Sequence, residues 1–264
     1  MPTAKNRLLH CAPSFRYLAP DLKVLEAQFT ANENVLYAKR NVIKKMQLGA
    51  QSVVVKSFKP PGLFRAFIYT NLQKSKALRS YENALRLSEL GILTPEPIAV
   101  IEYTRRYRLA ESYYITRHYP HEYTMESVIH KIAASDRSIE CPVQNQSVSI
   151  LEAFVQFTFN MHQANVLHCD HNPNNTLVGE KDGVFEFAII DLNRMRFKQL
   201  SLVQRLNEFV RLSDDPFVLS KISTTYAQCL GLQPNDCHEI LMRLMRRRGR
   251  IRRAKQLFKK ITGR

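Results

Sequence analysis

The apolar residues of this chain change their period along its length, and that change constrains the fold more than any other feature. From Val35 to Phe58 they fall in short runs, VLYA, NVIKKMQL and SVVVKSF, separated by the turn-like Lys39-Arg40-Asn41 and Gly49-Ala50-Gln51, the pattern of an antiparallel meander. Ser75 to Leu90 then places Leu78, Tyr81, Leu85 and Leu90 near helical spacing, with Gly91 as the stop. Pro95 and Pro97 lead into IAVIEY, and SYYITRHY follows the basic turn at Arg105 to Arg108, which predicts a sheet of about five strands. Beyond Tyr119 the pattern turns helical at Met125 to Ala134 and Ser149 to Ala164, with the polar stretch Ser135 to Ser147 read as a surface loop. A short β section, NTLVGEKDGVFEFAIIDL, precedes a helical third from about Leu202 to Ile261.

Strands first and helices afterwards, with the change near Arg117 to Tyr123, predicts an α+β chain of two lobes: a small β lobe with one helix over 1–118, and a larger helical lobe over 119–264. A chain of 264 residues with 45% hydrophobic content can bury cores of that size. Clefts between lobes are favoured ligand sites.

The segment Val166 to Val178, VLHCDHNPNNTLV, carries chemistry. His168 and Asp170 precede Asn175 in the order H-x-D-x-x-x-x-N, and sixteen residues after Asn175 the apolar strand FAII ends at Asp191. Phosphoryl transfer needs a carboxylate to accept the proton of an attacking hydroxyl and oxygens to hold a phosphate-bound cation. Asp170 fits the first role, and Asn175 and Asp191 fit the second. Upstream, Lys56 ends the run VVV, and Glu82 lies in the following helix, where it can pair with that lysine. Taken singly, Lys56 reads as a solvated strand lysine, Glu82 as a helix-surface residue and Asp191 as a strand cap. Taken in order, the five residues point to a kinase.

The resemblance sharpens over KSFKPPGLFRAFIYTNLQKSKALRSYENALRLSELGILTPEPIAV and over HCDHNPNNTLV with IIDLNRMRF. Together these stretches resemble the lipopolysaccharide core kinase (Kdo/heptose kinase) family, within the protein-kinase-like superfamily. The resemblance implies a protein-kinase-like two-lobe fold and ATP and Mg²⁺ as co-substrates. It also implies a sugar hydroxyl of the lipid A inner core as acceptor, Kdo first and heptose second. Two positions depart from the protein-kinase pattern. No G-x-G-x-x-G precedes Lys56, so Lys39 or Arg40, in the turn around Ala38 to Asn41, is expected to supply charge over the nucleotide in place of bare amides. Asn193 stands where a protein kinase has Gly, which argues against switching by activation-loop phosphorylation.

Other readings remain open at this point. The same motif serves protein and small-molecule kinases, a pseudokinase could retain it, and His162, His168, Asp170 and His171 are types that could form a divalent metal site of a hydrolase. The formal charge of +16 is concentrated in Arg243 to Arg264, which holds eleven Lys or Arg and no Asp or Glu. Leu244, Ile251 and Phe258 recur there every seven residues, so a basic amphipathic helix, interruptible at Gly249, is expected either to meet an anionic membrane surface or to pack on the large lobe with its charged face solvated. A nucleic-acid partner is disfavoured by the catalytic residues. Met1 to Thr30 lacks a signal-peptide core, and the five cysteines are scattered and never in C-x-x-C, so a cytoplasmic enzyme, peripheral at the inner face of the membrane and with free thiols, is expected.

Overall fold

The computed structural model describes residues 6–39, 41–59, 74–105, 108–134 and 142–262. The chain divides into two compact units. One is Met1–Pro120 with Ile189–Arg194, and the other is His121–Ala188 with Met195–Arg264.

The first unit is built on a six-stranded antiparallel sheet in the order β1-β5-β6-β4-β3-β2. Its strands are β1 (Asn6–Cys11), β2 (Val35–Ala38), β3 (Val42–Leu48), β4 (Gln51–Phe58), β5 (Pro97–Arg105) and β6 (Arg108–Arg117). The β3–β4 hairpin pairs Leu48 with Gln51 around a tight turn, and Gly49 takes φ +55 there, a conformation that L side chains avoid. Side chains alternate faces along a strand. Val53 and Val55 therefore share one face, where they pack with Phe15, Leu18, Leu22, Leu25 and Phe29 of the turn Pro13–Leu18 and helix α1 (Ala19–Ala31). Lys56 falls on the opposite face, in register with Tyr114 of β6.

Helix α2 (Lys76–Glu89) packs against β5 and β6. Ser75 caps it, its Oγ accepting from Leu78 N at 3.0 Å, a contact of about 1 kcal/mol. Gly91 follows at φ +69 and lets the chain leave the helix. The strand β1 and helix α1 extend the expected sheet of about five strands by one edge strand and one packed layer. NRLLHC lacks apolar–polar alternation, and α1 is too weakly amphipathic, for either to stand out by period.

The second unit is mainly helical, with two small sheets. Strands β7 (Tyr123–Thr124), β9 (Thr176–Lys181) and β10 (Val184–Ile189) form one, and β8 (Val166–Leu167) and β11 (Arg196–Phe197) the other. The helices are α3 (Met125–Ala134), α4 (Pro142–Gln163), α5 (Leu202–Phe209), α6 (Pro216–Leu230) and α7 (Pro234–Thr262). Met125, Ile129, Leu151, Phe154, Leu206, Phe209, Ile222, Tyr226 and Leu241 meet in their common core. A reciprocal Ser201–Gln204 capping box starts α5. Asp215 starts α6, its Oδ1 accepting from Phe217 N at 2.9 Å and Val218 N at 3.1 Å.

Two boundaries differ from expectation. Helix α4 begins at Pro142, so the second half of the supposed loop Ser135 to Ser147 is helical, and residues 135–141 lie outside the described ones. Pro is at home in a first helical turn, and Asn145 and Gln146 are exposed, so no apolar period betrays that stretch. Helix α7 also runs unbroken through Gly249, because one glycine costs only about 1 kcal/mol.

Candidate active site

In the first unit, Lys56 Nζ donates to Asp191 Oδ1. The same oxygen accepts from Asn193 Nδ2 at 2.9 Å. Asp191 sits at φ 61, a left-handed conformation that a non-glycine residue holds at a cost of roughly 1–3 kcal/mol and that recurs at functional sites. The segment on either side of Asp191 is tied down. Ile189 N donates to Leu93 O at 3.1 Å, and Thr94 Oγ1 donates to Ile189 O at 2.8 Å. Asn83 of α2 donates through Nδ2 to Leu192 O at 2.7 Å. Helix α2 thus reaches the segment beside Asp191 through Asn83, whereas Glu82, expected opposite Lys56, accepts from Lys74 Nζ at 2.6 Å on the surface. Lys39 is exposed beyond β2, and Arg40 lies outside the described residues.

In the second unit, Cys169, the residue before Asp170, takes φ 60, and its N–H donates to Glu208 Oε1 at 3.0 Å. Asp170 N–H donates to His168 Nδ1 at 3.3 Å. Asn175 Nδ2 donates to Asp170 O at 2.7 Å, which explains the five-residue spacing and leaves the amide oxygen as the end suited to a cation. Asp170 Oδ1 accepts from Asn172 Nδ2 at 3.0 Å and from the Arg211 guanidinium. His168 is fully buried, so it supports the loop rather than meeting a substrate.

Glu208 is the anchor that pattern reading missed. Its Oε2 accepts from His162 Nε2 at 2.7 Å, and His162 Nδ1 lies 2.8 Å from the Tyr226 hydroxyl. Burial would raise the Glu208 carboxyl, but the hydrogen bond from His162 and the neighbouring histidines hold it below its ordinary value. Burial raises the Tyr226 hydroxyl, which stays protonated and able to donate to His162. One signal was present in the sequence: Glu208 stands among apolar residues in LNEFV, beside Leu206 and Phe209, which pack into the core.

His171 stacks on Phe154, with ring centroids 5.2 Å apart and planes 13° from parallel. Burial lowers it to about 3. With His162 bound to Glu208 and His171 stacked in the core, the imidazoles proposed for a hydrolytic metal site are occupied by structural roles. Among the described residues no group of three His, Cys, Asp or Glu is placed to hold a metal.

The depressed His171 value makes an acid-stability prediction. Between an unfolded value of 6.5 and a folded value of about 3, the unfolded chain binds a proton that the folded chain does not, so stability falls as pH drops through that window. The slope from this one group approaches about 1.4 kcal/mol per pH unit. Urea midpoints at pH 7 and pH 4.5 should fall together less in His171→Phe than in the intact protein; equal falls would refute the assignment.

Residues 61–229 match the lipopolysaccharide kinase (Kdo/WaaP) family. Among solved structures, the fold is similar to that of WaaP in complex with acyl carrier protein, with TM-score 0.61 at 16% identity over 91% of this chain and 97% of that one. The ROP18 kinase domain in complex with AMP-PNP and sucrose follows at TM-score 0.43, 12% identity, and 74% and 62% of the two chains. No protein of curated function matches the sequence. The WaaP likeness makes the fold protein-kinase-like, and the match over 61–229, which spans more than half of the sequence, identifies the chain as a member of the lipopolysaccharide kinase (Kdo/WaaP) family.

Proposed function

We propose that the chain is an ATP- and Mg²⁺-dependent kinase that transfers the γ-phosphate to a sugar hydroxyl of the lipopolysaccharide inner core, Kdo first and heptose second. The observation that carries this reading is the family membership joined to the arrangement of the chain's own groups: Lys56 with Asp191, and Asn175 bonded across the loop to Asp170. Asp170 accepts the proton of the attacking hydroxyl as its oxygen bonds to the γ-phosphorus and the bond to the bridging oxygen of ADP breaks. Lys56 supplies positive charge to the phosphates. The Asp191 carboxylate and the Asn175 amide oxygen are hard donors that fit a divalent cation, which when bound neutralises charge on the phosphates.

The test is ³²P transfer from ATP with Mg²⁺ to Kdo-lipid A and, separately, to a heptosylated acceptor. Incorporation into either supports a core kinase and ranks the two sugars. Incorporation only into a peptide or an aminoglycoside would refute it.

We further propose that the enzyme works peripherally at the inner face of the cytoplasmic membrane through α7. This rests on the helix's composition and on its exposed apolar residues Ile251, Leu257 and Phe258, which follow the packed Leu241 and Leu244. No helix among the described residues is long and apolar enough to cross a membrane. Removing 257–264 takes away three cations together with Leu257 and Phe258. At about 1 kcal/mol per cation, association with phosphatidylserine vesicles at low salt should weaken at least about tenfold. Undiminished association would sink the membrane assignment.

A further inference from the structure

The second unit carries a cavity of about 730 Å³ beside α5 and α7 whose walls include Asn172, Arg211, Arg247, Arg248, Arg252 and Lys255. Five of the eleven lining residues are cations, and among the described residues no carboxylate lines the space. Arg248 is fixed by donating to Val210 O, and Asp214 lies 4.0 Å from it and 3.9 Å from Arg252. Asp214 is largely exposed, so it offsets these charges little. Arg247 and Lys255 have no ion pair among the described residues. Such a concave concentration of guanidinium groups matches an oxyanion, which arginine recognises in a planar, two-pronged geometry.

Two of the lining residues also belong to the surroundings of Asp170. Arg211 and Asn172 both donate to Asp170 Oδ1, and both face the cavity. A guanidinium and an amide held on Asp170 Oδ1 occupy the oxygen that an attacking hydroxyl would otherwise approach. An anion entering the cavity offers Arg211 a competing partner, surrounded by further cations.

Resting on the kinase reading for the role of Asp170, we propose that this cavity binds a phosphate or carboxylate group of the saccharide acceptor, and that the bound anion competes with Asp170 for Arg211. A neutral sugar would leave Arg211 on the base. Arg211 is a positioning residue, acting through Asp170.

Calorimetric titration of the full chain, without nucleotide, tests this with glucose 1-phosphate, galacturonic acid and glucose as the neutral control. At least one charged probe should bind about tenfold tighter than glucose. A preference for the phosphate points to a phosphorylated acceptor and a preference for galacturonate to a sugar acid, and either supports the site. Arg247→Glu combined with Lys255→Glu should weaken the charged probe about tenfold. Asp170→Asn should strengthen it about fivefold, because coupling is reciprocal and the variant releases Arg211. A misfolded variant cannot produce that gain.

Charged probes binding no better than glucose, or Asp170→Asn failing to strengthen them, would overturn the proposal. So would a charge-reversed variant that loses vesicle association while keeping its affinity for the probe, since the cations would then serve a membrane face. The titration involves no phosphate transfer. Failed ³²P incorporation would therefore count against the kinase reading, and failed titration against the anion site alone.

Discussion

Phosphate incorporation is expected to fall by about 10²–10⁴-fold when Asp170 is replaced by Asn, the range that loss of a general base produces. The amide keeps the size of the carboxylate and can still accept from Asn172, so the loop should hold its shape. What disappears is the capacity to take a proton, so the loss belongs in kcat, with ATP affinity retained. Asp191→Ala should be at least as severe for a different reason. It removes the oxygen that receives both Lys56 and Asn193, and with it the anionic donor proposed for the cation. In this variant nucleotide affinity, measured by titration, should lose its dependence on Mg²⁺ concentration, whereas Asp170→Asn should keep it. Near-normal incorporation by Asp191→Ala would remove the metal role from that residue.

The second large effect concerns stability. Glu208→Ala should destabilise the second unit by about 3–5 kcal/mol, because one buried carboxylate serves both the His162 ring and the Cys169 amide, and its removal strands two donors. Thermal denaturation should show a drop of roughly 10 °C in Tm. Since the Cys169 amide adjoins Asp170, transfer measured well below the new Tm should fall as well. Glu208→Gln retains an acceptor and should lie between the two. A Glu208→Ala protein with unchanged Tm and activity would mean that the network is incidental.

What the sequence disclosed depended on distance along the chain. Asp170 and Asn175 are five residues apart, and their spacing carries their geometry. Lys56 was legible because it directly follows the apolar run VVV, and α2 because Ser75 and Gly91 mark its limits. Glu208 and Arg211 were not read, since their partners Cys169 and Asp170 lie 39 and 41 residues upstream, beyond anything local periodicity encodes. Glu82 was drawn toward Lys56 by the family pattern, but here the nearer lysine, Lys74, eight residues away, takes it. The sequence permits a break in α7 at Gly249, yet the helix runs through it, because tertiary packing through Leu241 and Leu244 outweighs the modest penalty of one glycine.

The tether from Glu208 bears on how the motif could be moved between proteins. HCDHNPNN looks portable as eight letters, yet its backbone turn at Cys169 is fastened by a helix that begins only after the β-section and its aspartate have passed, and that helix is braced through His162 and Tyr226. A chimera receiving the octapeptide alone would inherit the letters without the fixture. The smallest transplantable piece is the loop together with the histidine before it, the glutamate helix after it, and the tyrosine beyond.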